Sequence, residues 1–548
     1  MDLLLDIFGF ASVLLSGVVR TAQCLTLGGI AFLAFIAIPL DRCAASDVLL
    51  TPRTIQLTRI FAWGLLITVS ALLAMEVMIL GGTAEITLLD ALGGEFAVAQ
   101  IVRIVGAILM LAVLYGRSPN STLLVILGLI DLAAGVATSH AMARVDQRGL
   151  LITITAMHHI GAALWIGGLP CLLSAMQRLP AGATRSKVGA RYSTMSMISV
   201  GAIAFSGIGM LIHYVGSVEA MYGTAYGMML GTKSTLFFGL LALGYGNLRV
   251  VRGLAGDPSG SVMRLRRFAE VELGIGITIF FVAASMTSLP PAIDLTRDRV
   301  SLSEITERLV PKWPSLTSPS RDSLAFYEEQ KTLKQEQAEH KPPTLQAYVP
   351  GAGVPLPRNA HDIAWSEYNH HMAGLIVLVM GILVFLEKTG RAPWARHWPL
   401  LLIVLAGFLF LRSEAEGWPT GSLTLAESLR DPEFIQHKTF VVLMTSFAVF
   451  EWSVRNQVMR NDWAKYVFPL ICALGGMMLL THSHSIANVK DLLLLEMTHM
   501  PLAVFAIWSG WTRWLELRLD GRARVIAGRL WPFFFSLTAL ILLLYREV

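Results

Sequence analysis

Residues 121–141 read STLLVILGLIDLAAGVATSHA. Between Leu123 and Ala137 the one charged side chain is Asp131, and the run closes on Ser139, His140 and Ala141. A helix needs about 20 predominantly apolar residues to cross the hydrocarbon core of a bilayer. A charge inside that core has to be paired or line a polar cavity. The stretch therefore predicts a membrane-spanning helix with one internal charge and a histidine at its end. Both features recur along the chain.

The 548 residues are 54% hydrophobic and 15% charged, whereas a soluble protein carries about a quarter charged residues. Apolar runs recur over the whole length. They predict an all-α, polytopic membrane protein of about fourteen transmembrane helices, at roughly 18–40, 57–81, 95–115, 121–141, 150–175, 194–217, 225–248, 268–290, 368–387, 398–412, 435–454, 463–481, 492–513 and 526–545. The net charge of +5 is modest; it speaks to orientation in a membrane and gives no reason to expect nucleic-acid binding. The first apolar run, Leu3 to Val19, lacks a basic leader and is read as retained structure. Cys24 and Cys43 bracket one expected helix and would lie roughly 28 Å apart at 1.5 Å per residue, too far for a disulfide. Cys171 and Cys472 fall in other spans, and all four are read as small apolar packing residues.

A polar stretch runs from Asp294 to Arg358, charge-rich over Glu328–Lys341 and then punctuated by Pro342, Pro343, Pro350, Pro355 and Pro357. It divides the chain into an eight-helix domain (1–292), a linker (293–360) and a six-helix, histidine-rich domain (361–548). Short loops set the orientation. Arg42 and Arg53, Arg117, then Arg178, Arg185, Lys187 and Arg191 follow the first, third and fifth spans. Arg249, Arg252, Arg264, Arg266 and Arg267 follow the seventh; Lys388, Arg391 and Arg396 the ninth. Arg455, Arg460 and Lys465 follow the eleventh, and Arg518, Arg522 and Arg524 the thirteenth. By the positive-inside rule these loops are cytoplasmic, and both termini and the linker are periplasmic.

With that topology every histidine except His397 falls on the outer side. His140 closes the fourth span, His158 and His159 lie in the fifth, and His213 is near the outer end of the sixth. His370 and His371 open the ninth span and His437 the eleventh; His482 and His484 follow the twelfth, and His499 sits two turns into the thirteenth. His340 and His361 are in the linker. Methionines accompany them, in His140-Ala-Met142, Met157-His158-His159 and Met497-Thr-His499-Met500, and Met75-Glu76-Val-Met78 ends the second span. Imidazole with thioether suits copper better than magnesium or calcium. Neighbouring His158 and His159 point about 100° apart on a helix, so one of them faces a given site. Two sites are expected: one from His140, His158 or His159, and His213, with Met142; another from His371, His437, His484 and His499, with His370, His482 and Met500 as neighbours.

Other patterns are weaker. Glu367-x-x-His370 and Glu496-x-x-His499 have di-iron spacing, but the additional glutamates such a site draws from two other helices are missing. Gly227 to Ser234 resembles a phosphate loop yet is one residue short and lies in an apolar span. No ATPase signature is present, and no enzyme chemistry is expected. Glu76, Arg103, Asp131, Lys233 and Glu272 fall inside spans, as structural pairs or as steps of an ion path.

Four stations, in order, carry a family resemblance: Ser139-His140-Ala141; His159-Ile-Gly-Ala-Ala-Leu-Trp165-Ile-Gly167-Gly168; Tyr226-Gly227 with Lys233 and Asn247; and Glu272 followed by Leu289-Pro290-Pro291. Residues from about 20 to 292 thereby resemble the CopD family of bacterial copper-resistance membrane proteins. The resemblance implies an inner-membrane protein handling periplasmic copper, an importer supplied by a periplasmic copper carrier, with His140, His159 and His213 as ligands. No carrier domain is recognisable in the linker, and the six-helix domain has no assigned family. The expected function is copper binding with transport or delivery at the bacterial inner membrane, with membrane lipid as the surroundings. Two alternatives stand beside it. One is a b-type haem electron-transfer protein ligated by His371, His437, His484 and His499; the one-sided histidines favour copper, or a haem that exchanges electrons only at the outer face. The other is an assembly subunit bound to membrane-complex partners.

Overall fold

The computed structural model describes residues 2–43, 49–83, 87–297, 299–310, 312–338, 359–481 and 490–547. Among the described residues the regular structure is helical and no strand occurs. Among the described residues ten helices are long and apolar enough to cross a membrane, and the chain is a multi-pass membrane protein. They are α1 (Phe8–Cys43), α2 (Thr51–Gly82), α3 (Glu95–Tyr115), α5 (Arg148–Arg178), α6 (Ala183–Tyr214), α7 (Ala225–Gly256), α8 (Met263–Met286), α9 (Ala360–Lys388), α10 (Pro393–Arg412) and α14 (Gly521–Leu543). Between them lie α4 (Ser121–Ala137) and α12 (Ala464–Leu479), apolar but shorter. Two long helices, α11 (Pro432–Arg455) and α13 (Lys490–Arg518), are outside that group. A helix stands at each of the fourteen apolar stretches, and ten of these satisfy both length and apolarity. The four cysteines are free.

The chain packs as two compact units: Ala11–Met221 with Met229–Arg297, and Met1–Phe10, Tyr222–Met228 and Asp298–Val548. In the first, α1 and α5 touch backbone to backbone. A Cβ on Gly28 would sit 2.1 Å from the Gly167 carbonyl carbon, and one on Gly167 would sit 2.0 Å from the Cys24 carbonyl oxygen. The Cys24 thiol donates to the Ala162 carbonyl at 3.3 Å beside this crossing. Small residues admit such close approach, which gives dispersion contacts where lipid supplies no hydrophobic drive. A π turn, Ala163–Gly167, interrupts α5 at this point.

Three internal charges of this unit, Arg103, Asp131 and Glu272, are held by one ion pair and by hydrogen bonds from neutral groups. Arg103 on α3 and Asp131 on α4 meet at 3.2 Å, 4% and 0% exposed. Gln23 of α1 donates to the other Asp131 oxygen at 2.8 Å, and Arg103 donates to Gln100 at 3.1 Å. Glu272 on α8 accepts from Trp165 Nε1 at 3.0 Å and from Asn247 Nδ2 at 2.6 Å. The Tyr192 hydroxyl donates to the Trp165 carbonyl.

The second unit is held by an aromatic core. Trp398 packs on Phe468 (ring centroids 5.7 Å apart), and Phe468 on Phe447 (4.2 Å) and Trp531 (5.5 Å). Gly476 and Gly510 let α12 and α13 close on each other: their added Cβ atoms would meet the Ala503 and Pro469 carbonyl oxygens at 2.7 and 2.5 Å. Arg308 fixes the end of the chain by donating to the backbone carbonyls of Leu494, Arg546 and Glu547.

Candidate functional site

The first unit contains a cleft of about 460 Å³, lined among others by His140, Arg144, Asp146, His213, Ile293 and Asp294. Its position follows from a local break. Helix α4 ends at Ala137, Ser139 is extended, and His140 opens a short helix, His140–Ala143. That turn brings the imidazole against the end of α8, where the ring hydrogen-bonds the Met286 carbonyl. The Nε2 atom of His140 is buried and has no hydrogen-bond partner. His213, in the last turn of α6, lines the same cleft. Asp294 accepts from Arg144 at 2.7 Å on the wall. An imidazole held through one nitrogen with the other unpartnered is the arrangement of a metal-ligating histidine.

His158 and His159 do not join that pair. His158 Nδ1 lies 3.1 Å from the Ser206 hydroxyl, so a contact between α5 and α6 occupies that nitrogen. His159 feels the charges of Arg20, Lys233 and Arg103. Both are absent from the cleft lining. Met142 is half-buried beside Arg148, whose Nη2 is 3.9 Å from its sulfur. The expected first site is therefore divided into His140 with His213 at the cleft, and His158 with His159 inside the helix bundle.

Comparison with known proteins bears on this unit. Residues 186–286 match the CopD family, described as Copper resistance protein D. The CopD segment takes in His213, Lys233, Asn247 and Glu272. A relative, the "Copper transport protein CutJ" of Bacillus subtilis (strain 168), is 32% identical over 162 residues. That is 29% of this chain, and the chain spans 29% of the length of that relative. No solved structure matches.

In the second unit the expected ligands also separate. His371 accepts the Ser315 amide at Nδ1 (2.7 Å), and its Nε2 meets the Tyr545 carbonyl at 2.8 Å. Both ring nitrogens are occupied by backbone, which leaves neither open to copper or to a haem iron in this arrangement. His370 turns Nδ1 to the Ser366 carbonyl at 2.9 Å and stacks on Tyr545 with centroids 3.7 Å apart. His499 lies 5.9 Å from His370 and 5.8 Å from Tyr545, centroid to centroid. The Tyr545 hydroxyl donates to Glu547 at 2.8 Å, and Ser366 bonds the same carboxylate. Met500 is 2% exposed and packs as an ordinary core residue. His482 and His484 lie outside the described residues, as does His340; so does the side chain of Glu496.

His437 has a different partner again: its Nδ1 lies 2.5 Å from a Glu414 oxygen. Acid groups crowd this place. Burial, and after it the neighbouring Glu414 carboxylate, pushes the Glu416 carboxyl up to about 7. Burial, followed by Glu433 and Glu414, likewise raises Asp431 to about 7. Sequence reading passed over Glu433, which stands four residues before His437 on α11. That i, i+4 spacing puts both side chains on one helix face and was the signal available.

Proposed function

We propose that this protein takes up copper in the cleft lined by His140 and His213 and passes it on, across the membrane or to a partner. The reading rests chiefly on the buried, unpartnered Nε2 of His140 in a cleft shared with a second histidine. Imidazoles of this kind bind copper in either common oxidation state; in the cleft lining Arg144 offsets the charge of Asp294, and Asp146 adds a second carboxylate. The CopD match over 186–286 and the copper-transport name of the relative agree with copper as cargo. Basic loops on the other side of the membrane support a cleft that opens to the periplasmic face of a bacterial inner membrane. A periplasmic copper carrier would be the donor. The charges that act on His159, Arg20, Lys233 and Arg103 with its partner Asp131, then belong to the path between helices rather than to the capture site.

The test is Cu(I) affinity of the detergent-purified full chain, measured by competition with a chromophoric chelator, followed by copper uptake into vesicles. His140→Ala and His213→Ala are each expected to weaken binding by about ten-fold or more, the scale set by loss of a metal-supporting contact. His158→Ala is expected to leave capture affinity near wild type. Wild-type affinity in both cleft variants would overturn the assignment.

A further inference from the structure

The half-buried side chains of Glu414, Glu433 and His437 each offer a ligand atom, and these atoms lie within 4.8 Å of one another. We infer that this triad is a binding site for a divalent first-row transition ion, separate from the histidine cleft of the first unit. Three features of the surrounding structure build it. Glu433 and His437 project from successive turns at the start of α11, a helix fixed at its N-terminus by the Asp431 side chain, which accepts the Glu433 amide at 2.8 Å. Glu414 comes from the loop after α10, and that loop is folded tightly. The Leu423 amide donates to the Glu416 carbonyl at 2.9 Å, the Gly421 amide to Gly417 at 2.8 Å, and the Trp418 amide to the Ser428 hydroxyl at 3.0 Å. Lys438 then ties α11 to the end of α10 through the Phe410 carbonyl (2.9 Å) and the Ser413 hydroxyl (3.2 Å). Its ammonium is bonded to these neutral oxygens and also feels the Glu414 carboxylate.

The chemistry selects the cation. Two carboxylates and one imidazole carry two negative charges when the ring is neutral, which one divalent ion balances. Magnesium and calcium prefer shells made of oxygen alone. An imidazole with carboxylates suits zinc, copper(II) and their neighbours. Bonds of about 2.0–2.1 Å at the tetrahedral angle that zinc favours put two ligand atoms about 3.3 Å apart. The His437 Nδ1 and Glu414 Oε1 atoms, now 2.5 Å apart, have to part by under about 1 Å when a metal replaces the proton between them. Waters would complete the shell. The inference is independent of the copper reading, since no residue is shared with the cleft.

The experiment is Zn(II) titration of the metal-stripped, full-length protein in detergent, by calorimetry, with Mg(II) as the comparison ion. Wild type is expected to bind one zinc at this site. Glu414→Gln and Glu433→Gln, which keep side-chain volume, are expected to lose it or weaken it at least about ten-fold, while the double variant His140→Ala/His213→Ala retains it. Equal zinc binding in both glutamine variants and wild type overturns the site, as does Mg(II) binding as strongly as Zn(II). Loss of the same zinc in the cleft double variant overturns it too, by placing the ion in the first unit. X-ray absorption on zinc-loaded wild type needs no variant to fold: a nitrogen/oxygen shell with one imidazole supports the triad, and sulfur or several imidazoles rejects it.

Discussion

Nε2 of His371 lies 2.8 Å from the carbonyl oxygen of Tyr545, tying the middle of α9 to the end of the chain. The other nitrogen accepts the Ser315 amide at 2.7 Å, so the ring bridges two backbone segments. His371→Ala would strand the buried Tyr545 carbonyl, at about 1–3 kcal/mol, and leave the partly buried Ser315 amide without its acceptor. The expected outcome is a lower unfolding midpoint in detergent with Cu(I) affinity unchanged. A full-strength midpoint together with weakened copper binding would instead make His371 a ligand.

The pair Arg103–Asp131 is buried at both ends. Removing one partner of such a pair leaves an uncompensated charge and costs about 3–5 kcal/mol, whereas replacing both by apolar groups costs far less. Asp131→Asn is therefore expected to reduce folded yield and thermal stability sharply. Arg103→Met/Asp131→Leu should recover much of that loss by the same assay. If the double variant folds well yet fails to move copper into vesicles, the pair also serves the path; if neither variant differs from wild type in stability, the ion pair is not the structural tie its geometry describes.

The membrane class and the helices were legible in the sequence because each is written locally. Apolar run length gives a spanning helix, and the isolated charges Arg103, Asp131 and Glu272 had to find partners. What periodicity does not carry is rotation and long-range approach. Nothing in residues 370–371 says that His371 turns to the chain end while His370 stacks on Tyr545, 174 residues separating His371 from its carbonyl partner. The break after Ala137, which delivers His140 to a cleft shared with His213 but not with His159, depends on how α4, α6 and α8 pack. Glu433 was missed for a different reason: the histidines were read as a set, and a carboxylate one helical turn before His437 was not weighed with them.

The glycines at the α1–α5 crossing give a steric test. Gly28→Val places a side chain where a bare Cβ already falls 2.1 Å from the backbone of Gly167. Overpacking of this kind costs about 1–3 kcal/mol, and more where backbone must move. Gly64→Ala, on α2, meets nothing within 4 Å and gains up to about 1 kcal/mol in helix propensity. Size-exclusion profiles and thermal midpoints should therefore separate the two: an aggregated or destabilised Gly28→Val beside an unchanged or firmer Gly64→Ala. Equal behaviour would mean that α1 and α5 do not cross here.

The acidic group before α11 predicts a pH dependence of definite sign. Asp431 and Glu416 have carboxyls raised to about 7, in each case chiefly by burial and then by neighbouring carboxylates. In the unfolded chain they return to about 4. The folded state thus holds protons that the unfolded state has released, and stability falls as pH rises through that interval. The contribution is complete below about pH 4 and gone above about pH 7. Metal-stripped protein is therefore expected to show a falling unfolding midpoint between pH 5 and pH 8. Asp431→Asn keeps an N-cap acceptor for the Glu433 amide, since Asn caps as well as Asp, but removes the titrating group. Its midpoint should be higher than wild type at pH 8 and depend less on pH. A wild-type midpoint that is flat or rises over this range, or a slope unaltered in Asp431→Asn, would show that the carboxyl is not held protonated by its surroundings.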